Sequence, residues 1–333
     1  MMVDKAQFSM YRRPGSVVFI DEEHDYLEMI GMVMPTQWQV ELFSRPQACL
    51  AYFEEAIEEW TTDLHEQQKI IDKWHQGSPL IPQVLKYWRD NTERYALPRV
   101  LVVDYAMPAM NGLALIERLT EWTGACVLLS GRADEHIAVD AFNRGLLEQF
   151  IPKQTPDITR KVIDTVAGLL EMPNPTQDQF WRSTLSSAQQ MALRRPVVAN
   201  ALRKYAASHW VESVILGSPF GILGMDKHGK LSWLQMEFAE NLAELAELAC
   251  LQPVPKRIQA DLVAIRTGNC LTDIELQQSM GTIDCASVEP AFHVGTTELL
   301  GAIFQLDTLP KDLLQPMGYE AWHSRQNSRA IRD

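Results

Sequence analysis

The sequence predicts an α/β protein, with a doubly wound five-stranded parallel sheet in the first half and a smaller α+β domain in the second. Three observations carry this. Short apolar, β-branched-rich runs at Ser16–Ile20 (SVVFI), Val100–Val103 (VLVV) and Ala125–Leu129 (ACVLL) read as strands buried on both faces. Amphipathic helical patterns alternate with them, and that alternation implies parallel strands joined by crossovers. The Pro-rich, polar stretch Met172–Asp178 (MPNPTQD) reads as a linker, which suits the two domains favoured by a length of 333 residues.

Charge divides the chain at the same place. Residues 1–178 carry 16 Lys and Arg against 27 Asp and Glu, whereas residues 179–333 carry 14 against 16, so the net charge of −13 sits mostly in the first half. Such acidity argues against non-specific nucleic-acid binding there. No apolar run approaches the ~18 residues of a membrane span, and the N-terminal segment 1–14 lacks an apolar signal core, so a cytoplasmic protein without membrane contact is expected. The five scattered cysteines form no CxxC pair and imply neither a disulfide framework nor a zinc site.

The elements follow in order. Ser16–Ile20 ends in Asp21, Glu22 and Glu23, and a helical pattern (Tyr26, Leu27, Ile30, Val33) comes next. Gln39–Phe43 is the second strand. Residues 46–97 then interrupt the alternation. Leu50, Phe53, Ile57, Trp60, Leu64, Gln67, Ile71 and Trp74 step by three and four, an a/d seam with one polar slip at Gln67. After Gly77-Ser78-Pro79 a second seam runs through Ile81, Leu85, Trp88, Thr92 and Tyr95. Together they predict an antiparallel helical hairpin whose first helix, about 45 Å long at 1.5 Å per residue, projects from the domain as a dimerisation or docking arm or as a surface decoration. The third strand ends at Asp104, the fourth at Ser130 and the fifth, Gln149–Ile151, at Pro152-Lys153. A helix over Pro156–Glu171 closes the unit.

Open α/β sheets bind ligands beyond the carboxyl ends of their strands. Those ends hold Asp21, Glu22, Asp104, Ser130 and Lys153. Clustered carboxylates need a cation among them, and hard oxygen donors favour Mg²⁺. A carboxylate can also accept a phosphoryl group as an acyl phosphate, with a lysine balancing the incoming charge.

The segments VVFIDEE, VLVVDYAMPAMNGL, VLLSGRADEHIAVDAFNRG and FIPK resemble, in that order, the signature segments of the receiver domain of two-component response regulators, a CheY- or flavodoxin-like fold. The resemblance covers residues 15–172 apart from the 46–97 insertion. It implies that Asp104 is the phosphoacceptor, that Glu22 is a direct Mg²⁺ ligand with Asp21 a second acidic contributor, and that the Ala106 carbonyl also reaches the metal. It makes Ser130 the switch hydroxyl, Lys153 the lysine on the phosphoryl group and Phe150 the rotating aromatic. Three positions depart from the pattern: Glu22 replaces the commoner aspartate, Ser130 the commoner threonine, and Gln154 the proline expected after the lysine. The late position of Asp104 and the unorthodox second half resemble the LqsR-type quorum-sensing response regulators.

In the second half, Phe180–Pro196 and Val197–Leu216 read as helices, Phe220–Met225 with Leu231–Met236 as a hairpin, Glu237–Leu251 as a helix, and Cys285–Val294 with Leu299–Leu306 as a second hairpin. This order resembles a PAS-type domain over residues 180–310, followed by one helix and a polar tail over 311–333. The expected protein is a phosphorylation-switched regulator and not an enzyme beyond phosphotransfer and autodephosphorylation. Its partners would be a histidine kinase or phosphotransfer protein and a second copy in a homodimer. Two alternatives stand beside it: a DNA-binding transcriptional regulator, for which Leu271–Met280 would form a helix-turn-helix, and a ligand- or nucleotide-binding PAS-like sensor.

Overall fold

The computed structural model describes residues 8–131, 140–251, 255–311, 313–326 and 329–333. Its strands in chain order are β1 (Tyr11–Arg12), β2 (Ser16–Ile20), β3 (Val40–Phe43), β4 (Pro98–Asp104), β5 (Ala125–Ser130), β6 (Gln149–Pro152), β7 (Glu212–Gly217), β8 (Phe220–Met225), β9 (Leu231–Phe238), β10 (Cys270–Thr272), β11 (Val288–Pro290), β12 (Phe292–His293), β13 (Leu299–Gln305) and β14 (Ile331–Arg332).

The first domain is the parallel sheet β14-β3-β2-β4-β5-β6. Its five expected strands take the flavodoxin-like order. Alternate residues feed two cores: Val18, Ile20, Leu101, Val103 and Leu128 face one, while Val17, Phe19, Val100, Val102 and Val127 face the other. The sixth strand was not expected. Ile331 and Arg332, in the segment read as a polar tail, pair in parallel with Leu42 and Phe43. Arg329 anchors them by donating to the Gly31 carbonyl in the last turn of helix His24–Val33 and to the Met34, Pro35 and Trp38 carbonyls beyond it. Two-residue strands carry almost no sequence pattern, so the register is set by these contacts.

The helix Pro46–His75 forms over the expected residues but does not project. Its buried line runs Cys49, Phe53, Ala56, Trp60, Asp63, Gln67, Ile70, one residue away from the expected seam between the shared positions Phe53, Trp60 and Gln67. Small Cys49 and Ala56 face inward, while larger Leu50, Ile57 and Leu64 lie half-buried at the margins. The helix starts on the first domain's core, where Phe53 meets the Trp122 ring at 4.8 Å. It ends in the second domain's core at Ile70 and Ile71. It therefore bridges the domains, and the reading of an arm is corrected. Helix Leu80–Asp90 likewise buries Ile81, Val84, Leu85 and Trp88 in the second core, and a short 3-10 turn, Thr92–Tyr95, leads back to β4.

Gln67, the polar slip, is fully buried and bonded on both sides. Its Nε2 donates to Asp63 at 2.9 Å and to the Tyr87 hydroxyl at 3.2 Å, while Oε1 accepts from Trp181 Nε1 at 2.9 Å. Asp63 in turn takes both Arg13 Nη atoms at 3.1 and 2.9 Å. A second buried network centres on Glu212. Arg94 donates to it from Nε and Nη2 (2.9 and 2.6 Å), Tyr95 at 2.7 Å and Tyr11 at 2.5 Å, and the Arg94–Glu212 side chains are both 0% exposed.

The second domain is the antiparallel sheet β1-β7-β8-β9-β13-β12 with a separate β10-β11 pair. Several expectations change here. The segment 1–14 is not a free extension, because Tyr11 and Arg12 pair with Val214 and Ser213. The linker is partly helical: Pro175–Arg182 starts at Asn174, whose side chain accepts from Thr176 and Gln177, and buries Trp181. A break at Ser183–Ser186 divides the expected 180–196 helix. The helix expected to reach Leu216 stops at His209, because Trp210 turns inward to donate to Ser232 Oγ at 2.7 Å. Val214, Ile215 and Leu216 then form a strand buried on both faces. The result is a three-strand meander, β7-β8-β9, with β13 on the third strand, which departs from the strand-pair order of the PAS resemblance. Phe292 and His293 do form a hairpin with β13, whereas Val288–Pro290 pairs with β10. Leu271–Met280 is the end of β10 and one short helix, Ile274–Met280, so no helix-turn-helix forms there. Among the described residues no helix is long and apolar enough to cross a membrane.

Two measurements test this packing. Glu212→Ala strands the buried Arg94 charge and is expected to cost about 3–5 kcal/mol in denaturant unfolding followed by tryptophan fluorescence; a loss below about 1 kcal/mol contradicts the network. Burial pushes the carboxyls of Asp178 and Glu237 up, to about 6 and about 7. Their native pKa lies above the unfolded one, so their contribution is full at low pH and is lost as pH rises through 6 and 7. Glu237→Gln should therefore gain stability relative to wild type as pH goes from about 5 to 8; a gap independent of pH contradicts the burial.

Candidate functional site

The carboxyl ends of β2, β4, β5 and β6 converge because the strands are parallel and in register: Ile20 pairs with Val103, Asp104 with Leu129 and Ser130 with Pro152. Asp104 closes β4 at 4% exposure, and Asp21 follows β2 at 2%. The Lys153 ammonium lies between them, 2.6 Å from Asp21 Oδ2 and 3.0 Å from Asp104 Oδ1. Backbone amides fix both carboxylates: Glu23 N donates to Asp21 Oδ1 at 2.9 Å, and Ala106 N to Asp104 Oδ2 at 3.1 Å. Lys153 N donates to the Ser130 carbonyl at 2.7 Å, which ties the lysine to the end of β5.

The loop after Asp104 closes tightly. Gly112 N donates to the Tyr105 carbonyl at 3.0 Å, and a Cβ at Gly112 would lie 2.4 Å from the Asp104 carbonyl oxygen. Glycine lets the next helix, Gly112–Ile116, begin directly against the strand. Asn111 caps it by accepting from Ala114 N at 2.8 Å.

The structure thus brings together Asp21, Asp104, Ser130 and Lys153. It leaves Glu22 exposed, and no three His, Cys, Asp or Glu side chains are grouped closely enough to hold a metal among the described residues. Ala106 meets Asp104 through its amide. Phe150 is half-buried against the first domain's core, paired across the sheet with Leu128. The Lys153–Gln154 peptide is trans, the cis bond among the described residues being Ser218–Pro219. The segment 132–139, where the sequence places the start of the next helix with Ile137, lies outside the described residues.

One participant was missed. Tyr26 stacks under the lysine, with the ammonium 4.8 Å from its ring. Its hydroxyl is buried without a hydrogen-bond partner, and burial pushes its pKa up to about 12. Its helical spacing disguised it as a core position; its place five residues after Asp21, in the helix that the strand feeds, is the signal that could have found it.

Electrostatically the site is two carboxylates sharing one ammonium. Burial raises the Asp21 pKa, with Lys153 opposing the rise, and the Lys153 pKa is raised because its two carboxylate partners outweigh burial. Asp104 Oδ1 is buried and lacks an aligned hydrogen bond, its neighbour being the ammonium. Carboxylate oxygens are the donor type a hard cation takes, and here two such groups converge, both already on the Lys153 ammonium. Lys153→Met removes the cation that opposes burial at Asp21 and so pushes that carboxyl further up. A group with a raised native pKa loses its stabilisation as pH rises, so the variant's deficit against wild type should grow from about pH 5 to 8; a constant deficit in thermal unfolding contradicts the bridge.

No family model matches the sequence, and no curated protein matches it as a relative. Solved structures do match. The Legionella pneumophila response regulator LqsR aligns over 97% of this chain and 98% of its own, with a TM-score of 0.68 and 20% identity. A CheY-like response regulator receiver domain protein from Methanospirillum hungatei covers 48% of this chain and 94% of its own at a TM-score of 0.32 and 14% identity. The signal receiver domain of an HD domain-containing protein from Pseudomonas fluorescens covers 48% and 96% at 0.31 and 13%. In fold, end to end, the chain is therefore similar to the response regulator LqsR, with a receiver-type parallel sheet joined to an antiparallel sheet domain.

Proposed function

We propose that the protein is a two-component response regulator that accepts a phosphoryl group on Asp104. The observation that carries this reading is the Lys153 ammonium held between two buried carboxylates at 2.6 and 3.0 Å. The donor is a phosphohistidine on a kinase or phosphotransfer protein. Its N–P bond breaks as an Asp104 oxygen forms the new O–P bond, and the proton balance stays with the donor imidazole. Lys153 carries the positive charge that the transferred oxygens need, and Ser130, at the neighbouring strand end, supplies a hydroxyl for one of them. Asp21 and Asp104, with the Ala106 carbonyl and the Glu22 side chain, are the oxygen donors that would hold Mg²⁺. That ion supplies further charge neutralisation at the phosphoryl group.

Phosphorylation adds negative charge beside an ammonium that already serves two carboxylates. The acylated Asp104 no longer carries a carboxylate charge, so Lys153 turns from it to the phosphoryl oxygens and shares itself between them and Asp21, which loosens Asp21 and draws the ends of β5 and β6 inward. Phe150, half-buried on that edge, repacks. The altered face changes self-association or partner binding of the second domain, and quorum sensing, as in LqsR-type regulators, is the setting we assign. The protein is a switch and not an enzyme beyond its own phosphotransfer and autodephosphorylation, and it works in the cytoplasm.

Incubation with acetyl phosphate and Mg²⁺ should add one phosphoryl group per chain, read by intact mass. Asp104→Asn should abolish the addition, and Lys153→Ala should slow it by about tenfold or more. Labelling that persists in Asp104→Asn overturns the proposal.

A further inference from the structure

A cavity lies away from Asp104, at the opposite end of the parallel sheet, where the two domains meet. Its volume is about 530 Å³, within the range of small-molecule sites. The first domain contributes Trp38, Leu170 and Glu171, and the second contributes Lys227. The N-terminal crossing segment contributes Arg12, and the C-terminal segment contributes Tyr319. The C-terminal segment closes it as a strap: Glu320 N donates to the Lys227 carbonyl at 2.9 Å, and the Tyr319 hydroxyl donates to the Gln37 carbonyl at 2.9 Å.

Its walls pair apolar surface with three cations, Arg12, Arg13 and Lys227, of which Arg13 is held from behind by Asp63. Arg12 binds Glu171 through Nε and Nη2 at 2.9 and 2.6 Å, but that pair is partly open, with side chains 20% and 46% exposed. Lys227 Nζ lies 3.9 Å from its nearest carboxylate, Glu320. Arg13 also lines the cavity, and its Nε is buried without a hydrogen-bond partner. Behind it, Arg99 is 9% exposed and donates to the Arg13 and Met172 carbonyls, with no carboxylate at ion-pair distance among the described residues. Burial and the neighbouring Arg13 push its pKa down to about 10. Arg99 is a buried positive charge behind the wall that Glu171 already attracts, and an anion taking Glu171's place on Arg12 keeps that attraction. The Arg12–Glu171 pair is bidentate but partly open to solvent, so an arriving anion that offers the same two oxygens competes with Glu171 for the guanidinium.

We propose that this interdomain cavity binds a small organic anion, with a carboxylate or phosphate head on an aromatic or aliphatic body. The head takes Glu171's place on Arg12 within reach of Lys227, and the body lies between Trp38 and Tyr319. Because both domains and the strap line the cavity, such a ligand favours their docked arrangement, and the linkage is reciprocal. The proposal is independent of Asp104.

The test uses the unphosphorylated full chain with three probes: indole-3-acetate, phenyl phosphate and decanoate. At least one should bind saturably below about 1 mM by calorimetry and raise the melting temperature. The matched neutral amide or alcohol should bind about tenfold more weakly or worse. Arg12→Gln should weaken the binding anion about tenfold, and Glu171→Gln, which removes the competing carboxylate, should tighten it. Should Arg12→Gln fail to fold, Lys227→Gln, on an exposed turn, serves in its place. The exposed Lys204→Ala should leave affinity unchanged. Absence of saturable binding by all three probes at about 5 mM, equal binding of the neutral analogue, or undiminished affinity in the Arg12 or Lys227 variant overturns the proposal.

Discussion

A carboxylate cut off from water organises this molecule. Glu212 opens β7, and nothing there solvates it except protein: the Arg94 guanidinium, the Tyr95 and Tyr11 hydroxyls. These partners come from the insertion and from the N-terminal crossing strand. An ionised carboxylate in such a place is tolerable only when all these donors are present together. The second domain's sheet, the insertion and the N-terminal segment must therefore assemble as a unit. Trp88, whose ring nitrogen donates to the Tyr11 hydroxyl at 3.1 Å, draws the insertion's second helix into the same assembly.

The helix Pro46–His75 gives this unit its relation to the strand-end site at Asp104. It begins just after β3, at the edge of the sheet that carries Asp21 and Asp104. It then passes the opposite edge, where Trp60 Nε1 donates to the Pro98 carbonyl at 3.2 Å, and ends among second-domain side chains. Held by apolar contacts at both ends, and by Asp63 and Gln67 between them, the helix ties the two cores together.

The parallel sheet and its strand-end residues were legible because each strand carries its own signal: a run of β-branched residues, then a polar group where the run stops. Asp21, Asp104, Ser130 and Lys153 could be placed on one edge from that alone. Tyr26 could not, since its ring under Lys153 looks the same in sequence as a core aromatic. The insertion's first helix was legible from end to end and its second from its start, though the second stops at Asp90, short of the expected Tyr95; the partner of their seam was not legible. A heptad pattern says which side is buried, not against what, and Gln67 looked like a defect until Trp181 and Asp63 were seen on either side of it. In the second domain the extended stretch Val214–Leu216 was taken into a helix because three apolar residues in a row have no period to read. The two-residue strands β1, β12 and β14 are below any sequence signal, as their pairing comes from tertiary contact.

The positions of β1 and β14 have a consequence for how such a protein can be taken apart. The first strand of the chain completes the second domain, and the last strand completes the first. Each sheet thus borrows its edge from beyond the other domain, and no single cut in the backbone separates two whole folds. A fragment ending near Met172 would leave the outer edge of β3 uncovered, and one starting near Pro175 would leave β7 bare on one side, each an invitation to pair with a neighbouring chain. This chain is woven and not spliced, so its two halves can be inherited, exchanged or engineered only together.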